Sequence, residues 1–293
     1  MIILFGSINL DLIFNLPNIP HPGETVLGPA TRIEPGGKGA NQAVAAARDG
    51  AAVIMAGAVG RDALADGALV LLRSSGVNLD RVQHVDASTG CAAIAVDPHG
   101  NNAIAVGSGA NLLARAAQVE DALLVPAATV VLQMEVPPAE TAELIARARA
   151  GGARVVLNLA PAIPLPEAAL RAVDVLVVNE TEAEWLASHL GCLPSAVALR
   201  DRLDGIAVVL TRGGQGAEIA SPDATWHEPA RQVEAIDTTA AGDCFVGVLA
   251  HRLDRGDTLQ AAVQRASTAA ALCCTRQGSQ GSIPTSPETD AFK

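Results

Sequence analysis

The stretch TVVLQMEVPPAETAELIARARAGGARVVLN, residues 129–158, runs from a β-branched segment through an Ala-rich one into a second β-branched segment. It reads as a strand over Thr129–Gln133, a helix over Pro138–Ala150 and a strand over Val155–Asn158. Both apolar segments are nearly continuous rather than alternating. That is the pattern of strands buried on both faces of a parallel sheet covered by helices. The same rhythm extends outward. Strands are expected at Ile2–Phe5, Val53–Ala56, Val175–Val178 and Ala207–Leu210, with helices near Ala40–Arg48, Ala63–Ser75, Glu180–His189 and Leu199–Leu203. Two closing helices follow, near Gly242–Leu253 and Leu259–Cys274. The expected fold is α/β, a mainly parallel central sheet flanked by helices.

Residues 12–36 and about 88–106 break this rhythm. They read as extended segments with turns, including Pro98-His99-Gly100-Asn101, and contain no helical pattern. Paired, they form a small β-sheet lid over the strand ends, where open α/β sheets bind ligands. No internal repeat, low-complexity tract or long linker divides the chain, so residues 1–293 are expected to form one domain carrying this lid.

Composition narrows the function. Hydrophobic residues are 49% of the 293, enough for a substantial core, yet no apolar run reaches the roughly 18 residues of a membrane span. The N-terminal MIILFGSINLDL lacks the basic start and cleavage site of a signal peptide, so a cytoplasmic protein is expected. The net charge of −11 argues against a nucleic-acid or anionic-membrane binder. An anionic small molecule would have to be held by helix N-termini, a cation or a few placed basic residues. Five cysteines without C-x-x-C or Cys/His spacing read as reduced thiols, and six scattered histidines read as structural. Lysine occurs only at Lys38 and Lys293, and aromatic residues are only 2%. H-E-x-x-H, G-x-S-x-G and G-x-G-x-x-G motifs are all missing, which removes the main support for zinc hydrolase, esterase and dinucleotide oxidoreductase readings.

The segment Asp237-Thr-Thr-Ala240-Ala241-Gly242-Asp243 opens an apolar helix. Small residues at 240–242 let a ligand approach the backbone, and the helix N-terminus presents unpaired N–H groups that suit a phosphoryl group. Asp243 then stands at the anion site, where a carboxylate can take a proton from an attacking hydroxyl. By itself, an ordinary N-terminal acid explains the residue equally well. In Gly36-Gly37-Lys38-Gly39-Ala40-Asn41-Gln42-Ala43, Lys38 is followed by Gly39, so this is not a Walker A loop. Lys38 and Asn41 can reach a polyhydroxylated ligand, although a Gly-rich turn into a helix is the plainer account. Asn9 and Asp11 alternate with apolar residues and so share one side of an extended segment, amide beside carboxylate, as sugar hydroxyls require. An Asx turn competes with that reading. Glu135 ends another strand at the same edge. Asn179-Glu180-Thr181-Glu182 follows a strand and opens a helix. It can hold phosphate and Mg²⁺ through waters, or simply cap the helix. Thr211-Arg-Gly213-Gly-Gln-Gly216 looks like a nucleotide-side turn or a simple hairpin.

One such segment at each successive strand end is the discriminating feature. In GSINLD (6–11), PGET (22–25), GGKGANQA (36–43), GANLL (109–113), QMEVP (133–137), NETEAE (179–184), LTRGGQG (210–216) and DTTAAGD (237–243), the chain resembles the PfkB-type carbohydrate kinases, and among them the ribokinases. The likeness runs from about residue 2 to residue 284. It implies a ribokinase-like fold and ATP-dependent phosphorylation of D-ribose at O5. Sugar contacts would come from Asn9, Asp11, Gly37, Lys38, Asn41 and Glu135. Asp243 would be the base, and the amides of Ala240, Ala241, Gly242 and Asp243 the anion hole. Asn179, Thr211, Gly213, Gly216, Gly242 and Ser267 match the nucleotide side. Glu182 would hold Mg²⁺ through water. Asp237, Thr239, Cys273, Arg276, Gly278 and Ser282 match a potassium site, several through backbone carbonyls. The likeness also implies a homodimer paired through the lid.

The sequence departs from the family pattern in places. Ala240 replaces a more usual Gly, which a negative φ would allow. Ser267 stands where His or Asn is common beside the adenine. Cys244 directly follows the base, and its oxidation is expected to impair the helix start. Rival readings are the same fold acting on fructose, 2-keto-3-deoxygluconate or a nucleoside, and a non-catalytic sugar-binding regulator.

Overall fold

A computed structural model of the chain describes residues 1–99 and 101–292. Among these, nine strands form a large sheet: β1 (Ile2–Phe5), β4 (Val53–Gly60), β5 (Asn78–Val85), β8 (Thr129–Leu132), β9 (Arg154–Asn158), β10 (Val175–Asn179), β11 (Ala207–Thr211), β12 (Ala217–Ala220) and β13 (Thr225–Glu228). Their order is β13-β12-β11-β10-β9-β8-β1-β4-β5. Every pairing from β11 to β5 is parallel, and β12 and β13 close one edge antiparallel.

Side-chain alternation along the central strands divides the core in two. On one face Ile2, Leu4, Val131, Val156, Val177 and Val209 pack under helices α1 (Lys38–Arg48), α2 (Leu64–Ser74), α7 (Ala241–Asp254) and α8 (Leu259–Cys274). On the other, Ile3, Phe5, Val130, Leu132, Leu157 and Leu176 pack under α3 (Pro138–Gly151), α4 (Glu167–Arg171), α5 (Glu180–Leu190) and α6 (Ala196–Arg202). A last helix, α9 (Ser286–Ala291), lies beside α8. Each fully buried aliphatic side chain is worth about 1.5–3 kcal/mol over its exposed state. These near-continuous apolar strands are stable only when sandwiched in this way.

Four further strands form the small sheet: β2 (Asn9–Asn15), β3 (Ala30–Gly36), β6 (Gly90–Val96) and β7 (Asn102–Gly107), in the order β3-β2-β6-β7. This sheet occupies the two segments expected to be extended, although the first was expected to begin at residue 12. The strand starts at Asn9, so Asn9 and Asp11 lie at the root of the small sheet rather than at the end of β1. Of the expected turn at 98–101, Asp97 Oδ1 accepts from the His99 and Asn101 amides at 2.8 and 2.9 Å, while Gly100 lies outside the described residues. The edge strands β5 and β13, the neighbouring β12 and the short helices α4 and α9 have no counterpart in the sequence reading. Each is short or half-polar, so its pattern is weak. No helix among the described residues is long and apolar enough to cross a membrane.

Candidate active site

The first turns of α1 and α7 meet at Asp243. Its buried carboxylate accepts from Asn41 Nδ2 at 2.9 Å through Oδ2 and from Gln42 Nε2 at 3.1 Å through Oδ1. Gln42 Nε2 also lies 3.1 Å from Asn158 Oδ1, at the carboxyl end of β9. Two consecutive helix residues thus clamp one carboxylate, and neither clamp leaves its orientation free. Ala241 directs its N–H to Thr238 O at 3.3 Å, so of the expected anion hole the amides of Ala240, Gly242 and Asp243 stay available for a ligand. Ala240 departs from expectation. Its φ is 59°, in the left-handed region, because the chain must reverse between Thr238 and the first turn of α7. The methyl group is accommodated there at a cost of about 1 kcal/mol.

The residues expected on the sugar side gather around the root of the small sheet. Gly37, with φ 88°, turns β3 into α1, and a Cβ on it would come 2.8 Å from the Asn9 amide nitrogen. Glu135 Oε2 accepts from Ser7 Oγ at 2.6 Å and from the Lys38 amide at 3.0 Å, and Gln133 Oε1 holds the Glu135 amide at 2.8 Å. Asp11 is 8% exposed and its Oδ1 has no partner among the described residues. Burial, reinforced by Glu135, Glu34 and Asp243, pushes its carboxyl up to about 7. A buried, unpartnered acceptor of this kind fits a ligand hydroxyl. Asp243 is the strongest influence on the Lys38 ammonium and raises its pKa against the opposing effect of burial, with Glu135 and Glu182 adding to the rise.

Lys38, Asn158, Asn179, Glu182 and Asp243 line a cavity of about 230 Å³. It adjoins a groove of about 420 Å³ whose lining includes Gly213, Gly216, Phe245 and Ser267, and the two share Asn179, Thr211, Thr238 and Gly242. The expected nucleotide-side residues therefore share one groove, and Phe245 is the aromatic ring in its wall. Thr211–Gly216 is also the turn between antiparallel β11 and β12, so the hairpin alternative holds as well. Asn179 and Glu182 form a reciprocal capping box, each side chain accepting from the other's amide at 2.8 Å. Burial raises the Glu182 carboxyl above its usual range. The capping box uses only Oε2 of Glu182, and the residue lines the cavity, which suits Mg²⁺ held through water.

The proposed potassium ligands come from two loops that do meet. Asp237 accepts from the Thr239 amide at 2.9 Å and the Gly278 amide at 3.0 Å. Burial pushes the Asp237 carboxyl up, but these hydrogen bonds outweigh it and hold it below its usual value. Cys273 Sγ stands 3.0 Å from Ser282 Oγ and 3.9 Å from Thr239 O. The Arg276 guanidinium turns away to Glu288 at 2.8 Å, which leaves its carbonyl as the group on offer. The Asp237 carboxylate and the Thr239 carbonyl thus lie where the two loops meet, oxygen donors of the kind a weakly hydrated monovalent ion takes. Among the described residues no three His, Cys, Asp or Glu side chains cluster as a metal centre. Cys244 is fully buried, and its contact with the Cys273 sulfur, together with burial, holds the thiol well above its usual pKa. Full burial also keeps solvent oxidants from this sulfur, which bears against the expected oxidation sensitivity.

Residues 1–286 match the pfkB family carbohydrate kinase model. The chain belongs to the pfkB carbohydrate kinase family. It is therefore a sugar kinase by family. A Staphylococcus aureus ribokinase is 36% identical over 97% of this chain and 96% of its own. A bifunctional ribokinase/ribose-5-phosphate isomerase A of Fructilactobacillus sanfranciscensis is also 36% identical, and this chain spans 54% of that longer protein. The crystal structure of a Thermotoga maritima ribokinase superposes with a TM-score of 0.92 at 32% identity, covering 99% and 98% of the two chains. The sequence reading missed Ser7, Gln42, Asn111, Gln133 and Asn158, whose side chains hold the site together, Asn158 also lining the cavity. Asn158 had a signal, since it ends a strand as Asn179 does. The others lie beside glycines or within motifs whose more exposed members drew the chemistry.

Proposed function

We propose that this kinase transfers the γ-phosphoryl group of ATP to O5 of D-ribose, giving ribose 5-phosphate, with Asp243 as general base. The observation that carries the reading is the clamped Asp243 carboxylate in the cavity wall, next to Gly242, which groove and cavity share. From there it takes the hydroxyl proton as the new O–P bond forms and the bond from γ-phosphorus to the β–γ bridging oxygen breaks, releasing ADP. The Gly242 and Asp243 amides stabilise charge on the transferring group. Asn9, Asp11, Gly37, Lys38, Asn41 and Glu135 orient the sugar, and Lys38 adds a positive charge beside the phosphates of an otherwise acidic protein. Mg²⁺ bound through Glu182 would neutralise phosphate charge, and K⁺ between the 237–239 and 273–282 loops would set the anion-hole backbone.

The chain acts as one catalytic domain under its small sheet. On one face of that lid the edge strand β7 exposes Ile104 at 57% and Val106 at 52%. We assign this face to a second copy of the chain, and light scattering of wild type against Ile104→Lys would show dimer loss if it is so.

The decisive test is ADP release with MgATP over a panel of ribose, 2-deoxyribose, fructose, 2-keto-3-deoxygluconate and a nucleoside, with and without potassium. Ribose-dependent turnover that rises with potassium supports the proposal. Preference for another acceptor retires ribose, and sugar binding without turnover points to a regulator.

A further inference from the structure

Asn111, in a 3₁₀ turn over Gly109–Leu113, is 1% exposed and reaches no ligand surface, yet its hydrogen bonds determine what Asn9 can offer. Its Oδ1 accepts from the Ile8 amide at 2.9 Å. A backbone N–H is unambiguously a donor, so the other end of the Asn111 amide must be Nδ2. That Nδ2 donates to Asn9 at 2.7 Å, which makes the receiving atom Asn9 Oδ1. The polarity of both amides is thus fixed by one main-chain proton. Asn9 is left with its NH₂ group, which donates to no protein acceptor among the described residues.

The backbone is built to allow this bond. Gly90 lies opposite Asn9 in the parallel register of β2 and β6. A Cβ at Gly90 would stand 2.3 Å from both Asn111 Nδ2 and Asn9 Oδ1. No other residue type leaves room for the two amides to meet. Two residues along β2, on the same side, Asp11 keeps an unpartnered acceptor oxygen.

We propose that Asn111 is a specificity-determining positioning residue, locking Asn9 so that the sugar site presents a fixed N–H donor beside the Asp11 acceptor. Such a pair reads one hydroxyl by its oxygen and another by its proton. A sugar lacking the hydroxyl read by Asn9 would leave that donor unmatched. The inference rests on Asn9 and Asp11 being the sugar side, as proposed above.

The variant Asn111→Asp keeps the acceptor for Ile8 but replaces the donor to Asn9, so the Asn9 amide must turn and offer its carbonyl oxygen. Ribose affinity by calorimetry should weaken about tenfold to a hundredfold, the usual effect of an inverted buried hydrogen bond. In turnover, KM for ribose should rise in step while kcat stays within about threefold and KM for ATP is unchanged. Asn9→Asp, which leaves Asn111 and Ile8 paired, should give the same loss and covers the case of a poorly folded Asn111 variant. In an Asn9→Ala background, Asn111→Asp should change ribose affinity less than about twofold, because it acts only through Asn9. Among singly deoxygenated riboses, one should bind wild type and Asn111→Asp alike. Wild-type affinity in Asn111→Asp, or additive losses in the double variant, would overturn the proposal. Because calorimetry reads binding without phosphoryl transfer, a failed assignment of Asp243 would be seen separately, as intact affinity without turnover. If another acceptor replaces ribose, the same comparison is made on that acceptor.

Discussion

Asn41 and Asp243 stand 202 residues apart in sequence, and a 2.9 Å hydrogen bond joins them where α1 and α7 begin. With Gln42 on the second oxygen, the carboxylate meets a protein donor at each face. Asp243→Asn therefore makes two changes at once. It removes the base, which should lower kcat by about 10²–10⁴ while ribose affinity is largely kept. It also turns an NH₂ group toward Asn41 or Gln42, and facing donors should cost roughly 1–3 kcal/mol of stability. Steady-state kinetics and urea melts on the same sample separate the two. Retained turnover would remove Asp243 from the chemistry.

Asp11 gives a pH dependence with a definite sign. Its carboxyl is raised from 3.8 to about 7 in the folded protein. The folded state thus binds a proton that the unfolded chain has already released. The stability linked to that proton is whole below pH 3.8, declines as pH rises, and is gone above about 7. Asp11→Asn cannot titrate. Its stability relative to wild type should therefore improve by on the order of 2–3 kcal/mol between about pH 5 and pH 8. Urea melts at the two pH values test this, and a constant difference would refute it. The same variant should weaken ribose binding, because it halves the acceptor capacity facing the sugar.

The large sheet and its helices were legible because burial on two faces leaves long apolar runs, as in Ile2–Phe5 and Thr129–Leu132. The half-polar β5, NLDRVQHV, lies at an edge and carries no such signal. Within the site, Asp243, Lys38, Asn41 and Glu135 could be read from residue type and position at strand or helix ends. Gln42 and Asn111 could not, because their role depends on which end of an amide faces which partner. That is set by contacts across the fold, such as Asn111 with Ile8. The φ of Ala240 escaped for a similar reason, since the sequence does not show how sharply residues 238–241 turn.

Asp237 ties the two candidate potassium loops together through Thr239 and Gly278. Asp237→Ala frees both amides and removes the one carboxylate of the set. The variant should lose the rise of turnover with potassium while keeping a basal rate without it, read by ADP release in potassium against a bulky organic cation. A variant still activated by potassium would place the ion elsewhere.

Ala240 enters α7 at φ 59°, where a Cβ is disfavoured by about 1 kcal/mol or more. Glycine removes that penalty but gives the unfolded chain more freedom, which offsets roughly 0.4–1 kcal/mol of the gain. Ala240→Gly should consequently be near neutral or stabilising by up to about 1 kcal/mol, unlike a glycine placed in an ordinary helical position, which costs about that amount. The companion Gly247→Ala is not a fair control, because a Cβ there would lie 2.3 Å from the Gln42 carbonyl. Ala250→Gly, inside the same helix and fully buried, is the fairer comparison. Thermal melts should rank Ala240→Gly at or above wild type and Ala250→Gly clearly below it. If Ala240→Gly falls as far as Ala250→Gly, the left-handed entry to α7 is wrong, and with it the placement of the Gly242 and Asp243 amides.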